Sequence, residues 1–180
     1  MIKARYGVGA VILGIFTVSP FTPSLLSQAP EFKPVTESVL TNPDPADWLM
    51  INRTFNQHRF SPLNQINKNN VGQLRMAWTR GLPAGTQETT PIVYRGIIYM
   101  YVPGASVQAV DGTNGDLIWE YQRDYPKGVN PQAARNKNLG IYEDMIYFAA
   151  PDGVLIVLDA KRRRKGSSPL LAIDTRFTMK

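Results

Sequence analysis

Between Phe32 and Ala160 the apolar residues fall in short runs, rich in Ile, Val and Tyr, that alternate with clusters of Gly, Pro, Asn and Asp. Runs this short, closed by turn-forming residues, read as strands rather than helices. The clearest is a hairpin: Thr90 to Tyr94, a turn at Arg95-Gly96, then Ile97 to Val102. A second goes from Leu139 to Tyr142, turns at Glu143-Asp144 and returns from Met145 to Ala150. One short helix is expected over Asp44–Met50, because Asp44 and Asp47 suit a helix entry.

The two hairpins belong to one repeat. At an offset of 48 residues Tyr94 matches Tyr142, Ile98 matches Ile146, Tyr99 matches Tyr147, Pro103 matches Pro151 and Asp111 matches Asp159, with no gap. Apolar positions between them correspond too, as Val107 does with Leu155 and Val110 with Leu158. Each unit closes on a polar turn. In the first, Asp111 is followed by Gly115, in a backbone conformation costly for other residues, and by Trp119, a large anchor for the next strand. A weaker, earlier copy runs from Asn70 to Trp78. A period in the forties with about four strands is the length of a propeller blade, so the expected fold is all-β, a partial β-propeller over residues 32–160. The third copy breaks off: the pattern asks for Gly at 163 and Trp at 167, where the chain has Arg163 and Ser167. Blades bury their faces only against neighbours, so two repeats and part of another cannot close a ring.

Composition narrows the function classes. The chain has 180 residues, 43% hydrophobic and 19% charged, which excludes wholesale disorder. Its net charge of +6 would suit a nucleic-acid binder, but seven of the twenty Lys/Arg lie in residues 161–180 with a single acid, Asp174. The rest of the chain carries as many acidic as basic residues. No nucleic-acid partner is expected, and the basic segment 161–180 reads as a frameshifted or otherwise foreign ending, the other reading being an arm for acidic partners. At the amino terminus Lys3 and Arg5 precede an apolar run from Gly7 to Val18, then Pro20, Pro23 and Ser27-Gln28-Ala29. That run is shorter than the roughly 20 residues a membrane span needs, so residues 1–29 read as an export signal with no stable span after cleavage, the alternative being an uncleaved anchor. With no Cys and only His58, thiol catalysis, disulfides and Cys-based zinc sites are excluded. His58 alone makes no metal site and reads as a surface or rim residue. Tyr99, Tyr147, Trp78 and Trp119 read as core.

With these residues in view the chain resembles a known family. Ala109, Asp111, Gly115 and Trp119 look like the tryptophan-docking repeat of the quinoprotein dehydrogenases. Upstream, Asn42 to Trp48, Phe60 to Asn67, Asn70-Val71 and Leu74 to Trp78 are similar to the first blades of the PQQ-dependent methanol/ethanol dehydrogenases. The resemblance implies the amino-terminal part of an eight-bladed propeller in the periplasm. It also implies pyrroloquinoline quinone and a Ca²⁺ or lanthanide ion on the axis, an alcohol substrate and a cytochrome c electron acceptor.

The resemblance also implies site residues. Glu88, in Gln87-Glu-Thr-Thr-Pro91, matches the glutamate that contacts the quinone; composition alone would make it a solvated loop residue. Arg135 stands in the region where many members carry a vicinal disulfide and a cofactor-contacting Arg. Counting back from Tyr142 puts Asn138 nearest that Arg, and Arg135 or Lys137 is its replacement or else a surface charge. In the family the metal ligands and the aspartate base come from later blades, so no catalytic or metal-binding residue is assigned here, and the chain alone is expected to be inactive. The rival is a non-catalytic propeller scaffold of the cell envelope, which would use such repeats without the Asn42–Trp48 and Phe60–Asn67 segments.

Overall fold

The computed structural model describes residues 32–133, 137–161 and 175–176. The chain divides into Met1–Pro30 and Glu31–Lys180, and every described residue belongs to the second unit. The export-signal expectation, Arg135 and nearly all of the basic segment lie outside the described residues.

The repeat predicted from the sequence is present as two four-stranded antiparallel meanders. The first consists of β1 (Ile92–Tyr94), β2 (Ile97–Val102), β3 (Ser106–Asp111) and β4 (Leu117–Tyr121), and the second of β5 (Gly140–Tyr142), β6 (Met145–Ala149), β7 (Val154–Asp159) and β8 (Thr175–Arg176). Sequence neighbours are sheet neighbours throughout. The 48-residue offset extends to register: Tyr99 faces Ala109 as Tyr147 faces Val157, and Ile98 faces Val110 as Ile146 faces Leu158. It extends to the closing hydrogen bonds as well, where Gly112 N donates to Gly96 O and Ala160 N to Asp144 O, both at 2.8 Å. The β1–β2 turn holds Arg95 and Gly96 at positive φ (49° and 78°), the twist that suits a two-residue hairpin.

The repeat departs from itself at the last strand. Val107 meets Tyr121 fourteen residues on, whereas its counterpart Leu155 meets Thr175 twenty residues on. The positions where Gly and Trp were expected, 163 and 167, lie outside the described residues.

Aromatic side chains join the sheets. Phe148 packs against Tyr101 (ring centroids 6.0 Å apart) and Tyr121 (5.9 Å) from the first sheet. Tyr99 is fully buried and donates its hydroxyl to Ala160 O, just after β7, at 2.8 Å. Burial pushes its phenol well above the ordinary range. The first five residues of β3 are all buried, because the segment at Trp78–Arg80 also lies against this strand and the turn after it. Trp78 Nε1 donates to Gly112 O (3.0 Å), and Arg80 donates to Gln108 Oε1 and Gly115 O (3.2 Å each). Trp119 is buried as expected; Trp78 and Tyr147 are half-buried.

The helix expected over Asp44–Met50 is absent. Among the described residues one α-helix, α1 (Glu37–Thr41), forms earlier, capped by Thr36, whose Oγ1 accepts from Val39 N. At Asp44 the following Pro45 disfavours helical geometry, and Asp44 Oδ1 instead accepts from Ala46 N in a tight turn. The chain then pairs Trp48 with Val93 beside β1 through two backbone hydrogen bonds (2.8 and 2.9 Å). Asp47 is not a helix cap either: it is buried, and its Oδ1 accepts from Arg95 N at 2.8 Å, holding the β1–β2 turn. The weak copy from Asn70 to Trp78 contains one 3-10 turn, Val71–Gln73, and no strand.

Candidate functional site

In both meanders the first strand is outermost in the strand order, and a connecting segment leads into it: residues 85–91 before β1, and residues 122–133 and 137–139 of the crossover before β5. The first approach is fixed from two sides. Gly85 (φ 143°) lies so close to Pro103 that a Cβ there would come within 2.6 Å of it, and Gln87 Nε2 donates to Tyr101 O at 2.8 Å. A backbone bond from Thr90 N to Lys137 O (3.0 Å) then joins the two approaches.

This joint brings together charges far apart in sequence. Lys137 Nζ stands 3.7 Å from Glu88 Oε2, with side chains 65% and 32% exposed. A pair this long and this wet adds little stability. It leaves a carboxylate and an ammonium side by side at the leading ends of two strands. Among the described residues, Lys137 is a cation that the geometry sets beside Glu88. Asn138 is exposed.

A second polar cluster lies where β2, β4 and the β6–β7 turn end. Arg123 pairs with Asp152, its guanidinium is 5.7 Å from the centre of the Tyr125 ring, and Tyr125 OH donates to Ala105 O at 2.8 Å. Burial, with Tyr101 and Asp152 nearby, pushes the Tyr125 phenol far above its ordinary range. Sequence reasoning missed the Arg123–Asp152 pair because each charge stands singly in a polar loop and no local spacing links them.

His58 is exposed, as expected. Among the described residues no three His, Cys, Asp or Glu side chains are grouped to hold a metal ion. The donor set at Glu88 and Lys137 fits the polar rim of an anionic quinone, with an acceptor and a cationic donor adjacent. It does not fit a divalent or trivalent cation, so no metal-dependent step is derived from these residues.

Two packed four-stranded meanders in one repeat register define a partial β-propeller of the quinoprotein kind. The family described as the PQQ, glucose/ethanol/alcohol dehydrogenase, beta-propeller domain matches residues 48–166, and the chain belongs to it. Among its relatives is the dehydrogenase subunit of the quinone alcohol dehydrogenase of Komagataeibacter europaeus, 36% identical over 121 residues, which are 65% of this chain and 16% of that protein. The quinohemoprotein alcohol dehydrogenase ADH-IIG of Pseudomonas putida is 33% identical over 159 residues, 86% of this chain and 22% of that one. The solved ADH-IIG structure superposes with a TM-score of 0.63 over 81% of this chain and 22% of its own, at 30% identity. A europium-containing methanol dehydrogenase gives a TM-score of 0.61 over 68% of this chain and 22% of its own, at 29% identity. The chain thus spans about a fifth of the length of these relatives.

Proposed function

We propose that this chain is the amino-terminal part of an exported, periplasmic PQQ-dependent alcohol dehydrogenase and that it is inactive alone. In this reading the bound quinone supplies the hydride acceptor. Glu88 accepts hydrogen bonds from the quinone's edge, and Lys137 balances the charge of its carboxylates. Arg135 is proposed as a further cofactor contact, as the resemblance implies. The Ca²⁺ or lanthanide ion, the base that takes the hydroxyl proton and the docking site for a cytochrome c acceptor belong to segments beyond those matched here.

One observation carries the reading: within a fold of this family, Glu88 meets a cation from the neighbouring repeat at the leading ends of β1 and β5. Two more support the incompleteness of the chain as a catalyst. Nine large apolar side chains between Ile51 and Leu82 are exposed, Met76 to 80%. Among the described residues the buried Trp119 Nε1 has no hydrogen-bond partner, whereas its repeat counterpart on Trp78 is bound to Gly112 O. Among the described residues no helix is long and apolar enough to cross a membrane.

The test is a titration of the purified full chain with PQQ, followed by tryptophan fluorescence. Saturable quenching is expected, weakened about tenfold by Glu88→Gln, as loss of one charge-assisted hydrogen bond implies. Absence of binding, or binding indifferent to Glu88→Gln, overturns the cofactor assignment. Ethanol oxidation by the chain with PQQ and Ca²⁺ overturns the assignment of inactivity.

A further inference from the structure

Of the chain's asparagines only Asn114 is followed by a glycine. The pair lies in the β3–β4 turn, with Asn114 exposed. An asparagine there holds its side-chain carbonyl carbon within reach of the next backbone nitrogen, and glycine has no Cβ to crowd that nitrogen. Attack of Gly115 N on Asn114 Cγ forms an N–Cγ bond and breaks the Cγ–Nδ2 bond. Ammonia leaves with the proton from Gly115 N, and water then opens the cyclic imide to isoaspartate or aspartate. No oxidant and no cofactor is needed.

The turn holds the two reacting groups in opposite states. Asn114 Oδ1 accepts from Asp116 N (2.9 Å), and Nδ2 donates to Asp116 Oδ2 (3.0 Å). A donor on the amide oxygen stabilises the charge that attack on Cγ develops there. Gly115 N, by contrast, is held back, because it donates to Asp111 O at 2.8 Å. The reaction waits for that bond to open.

What keeps the bond shut comes from outside the turn. Trp78 Nε1 donates to Gly112 O and Arg80 Nη1 to Gly115 O, so the Trp78–Arg80 segment ties the turn at two points. The indole also lies against Gly115, where a Cβ would come within 2.5 Å of Cε3. At the 48-residue offset the second repeat has Arg162 and Arg163, so its closing turn lacks the reactive pair.

We propose that Asn114 is a site of spontaneous deamidation and that docking of Trp78 sets its rate. Undocking frees Gly115 N, and the reaction leaves a lasting mark. Isoaspartate lengthens the backbone of the turn, and either product adds a carboxylate beside Asp116. The turn thus records how long the first meander has stood apart from the segment before it.

The test is incubation of the full chain in mildly alkaline buffer, followed by trypsin digestion and mass spectrometry. The peptide Gly96–Arg123 contains no other asparagine. Conversion at Asn114 is expected to be at least about tenfold slower in native buffer than in urea, and about tenfold faster in native Trp78→Ala than in the parent. The β6 and β7 amides of that variant should keep their exchange rates. No conversion in urea overturns the site. Equal rates in native buffer and urea, or in Trp78→Ala and the parent, overturn the gating. Acceleration of the β6 and β7 amides in step with Asn114 does so too, because it marks opening of the whole chain. If Trp78→Ala does not fold, Trp78→Phe, which keeps a ring and loses the Nε1 donor, takes its place.

Discussion

Gly96, Gly115 and Gly153 share one backbone conformation, φ 78°, but not one environment. A Cβ at Gly96 or Gly153 would meet nothing within 4 Å. At Gly115 it would lie 2.5 Å from Cε3 and 2.8 Å from Cδ2 of Trp78. Substituting Ala at each therefore separates backbone strain from docking of the indole. The left-handed conformation costs a residue with a side chain about 1–2 kcal/mol. The stiffer unfolded chain returns about 0.4–1 kcal/mol of that. Gly96→Ala and Gly153→Ala should then cost about 1 kcal/mol each. At Gly115 the ring must also withdraw by about 1 Å to reach ordinary carbon–carbon contact. Overpacking of this kind costs about 1–3 kcal/mol, and the bond from Trp78 Nε1 to Gly112 O, worth about 1 kcal/mol, is strained with it. Gly115→Ala should cost about 3 kcal/mol in all. Urea unfolding of the full chain, followed by circular dichroism, measures each value. In a Trp78→Ala background the cost of Gly115→Ala should fall to that of Gly96→Ala, a coupling of about 2 kcal/mol. Equal costs at the three glycines, or a Gly115 cost unchanged by removing Trp78, would refute the docking argument.

Tyr99→Phe should destabilise the chain by about 1–2 kcal/mol in equilibrium unfolding, because it leaves Ala160 O without its partner from the first sheet; a neutral result would mean that this bond does not join the sheets. Burial, opposed by the bond from Arg95 N, raises the Asp47 carboxyl above its ordinary value of 3.8, so the native state binds that proton more tightly than the unfolded chain does. The Asp47 contribution is therefore most favourable below pH 3.8 and is lost as pH rises through the native value. Asp47→Asn should accordingly gain on the parent chain as pH rises from 3.5 to 7 in urea unfolding, and the opposite slope would show that the Arg95 bond outweighs burial.

The strands were legible because local and repeated signals agreed. The hairpins at 90–102 and 139–150 carry β-branched and aromatic runs on either side of a two-residue turn, and the 48-residue match fixed their equivalence before any contact was known. The helix was misplaced because Asp44 and Asp47 satisfy a helix-entry rule in isolation. Pairing of Trp48 with Val93 and capture of Arg95 by Asp47 are contacts with a strand some 45 residues on, and they outweigh the local preference. The segment from Ile51 to Leu82 was similarly opaque. Its apolar residues follow neither a period of two nor one of 3.6, and the structure forms no strand there.

The site was legible only in part, for a related reason. Nothing in Gln87-Glu-Thr-Thr-Pro91 distinguishes Glu88 from a solvated loop acid; the resemblance to a family singled it out. What makes the position unusual is Lys137, brought within reach by the packing of one repeat against the next. The Arg123–Asp152 pair arises in the same way. In a repeat fold the sequence of one unit specifies its own sheet, whereas polar pairs between units depend on both partners and on the crossover that joins them. The chain's two indoles at repeat ends make the same point. Trp78 finds both a glycine to lie against and a carbonyl to bind, whereas Trp119, equally well specified by its own unit, is buried with no partner for its Nε1 among the described residues. Contacts between repeats therefore carry information that the strand pattern of a single unit does not.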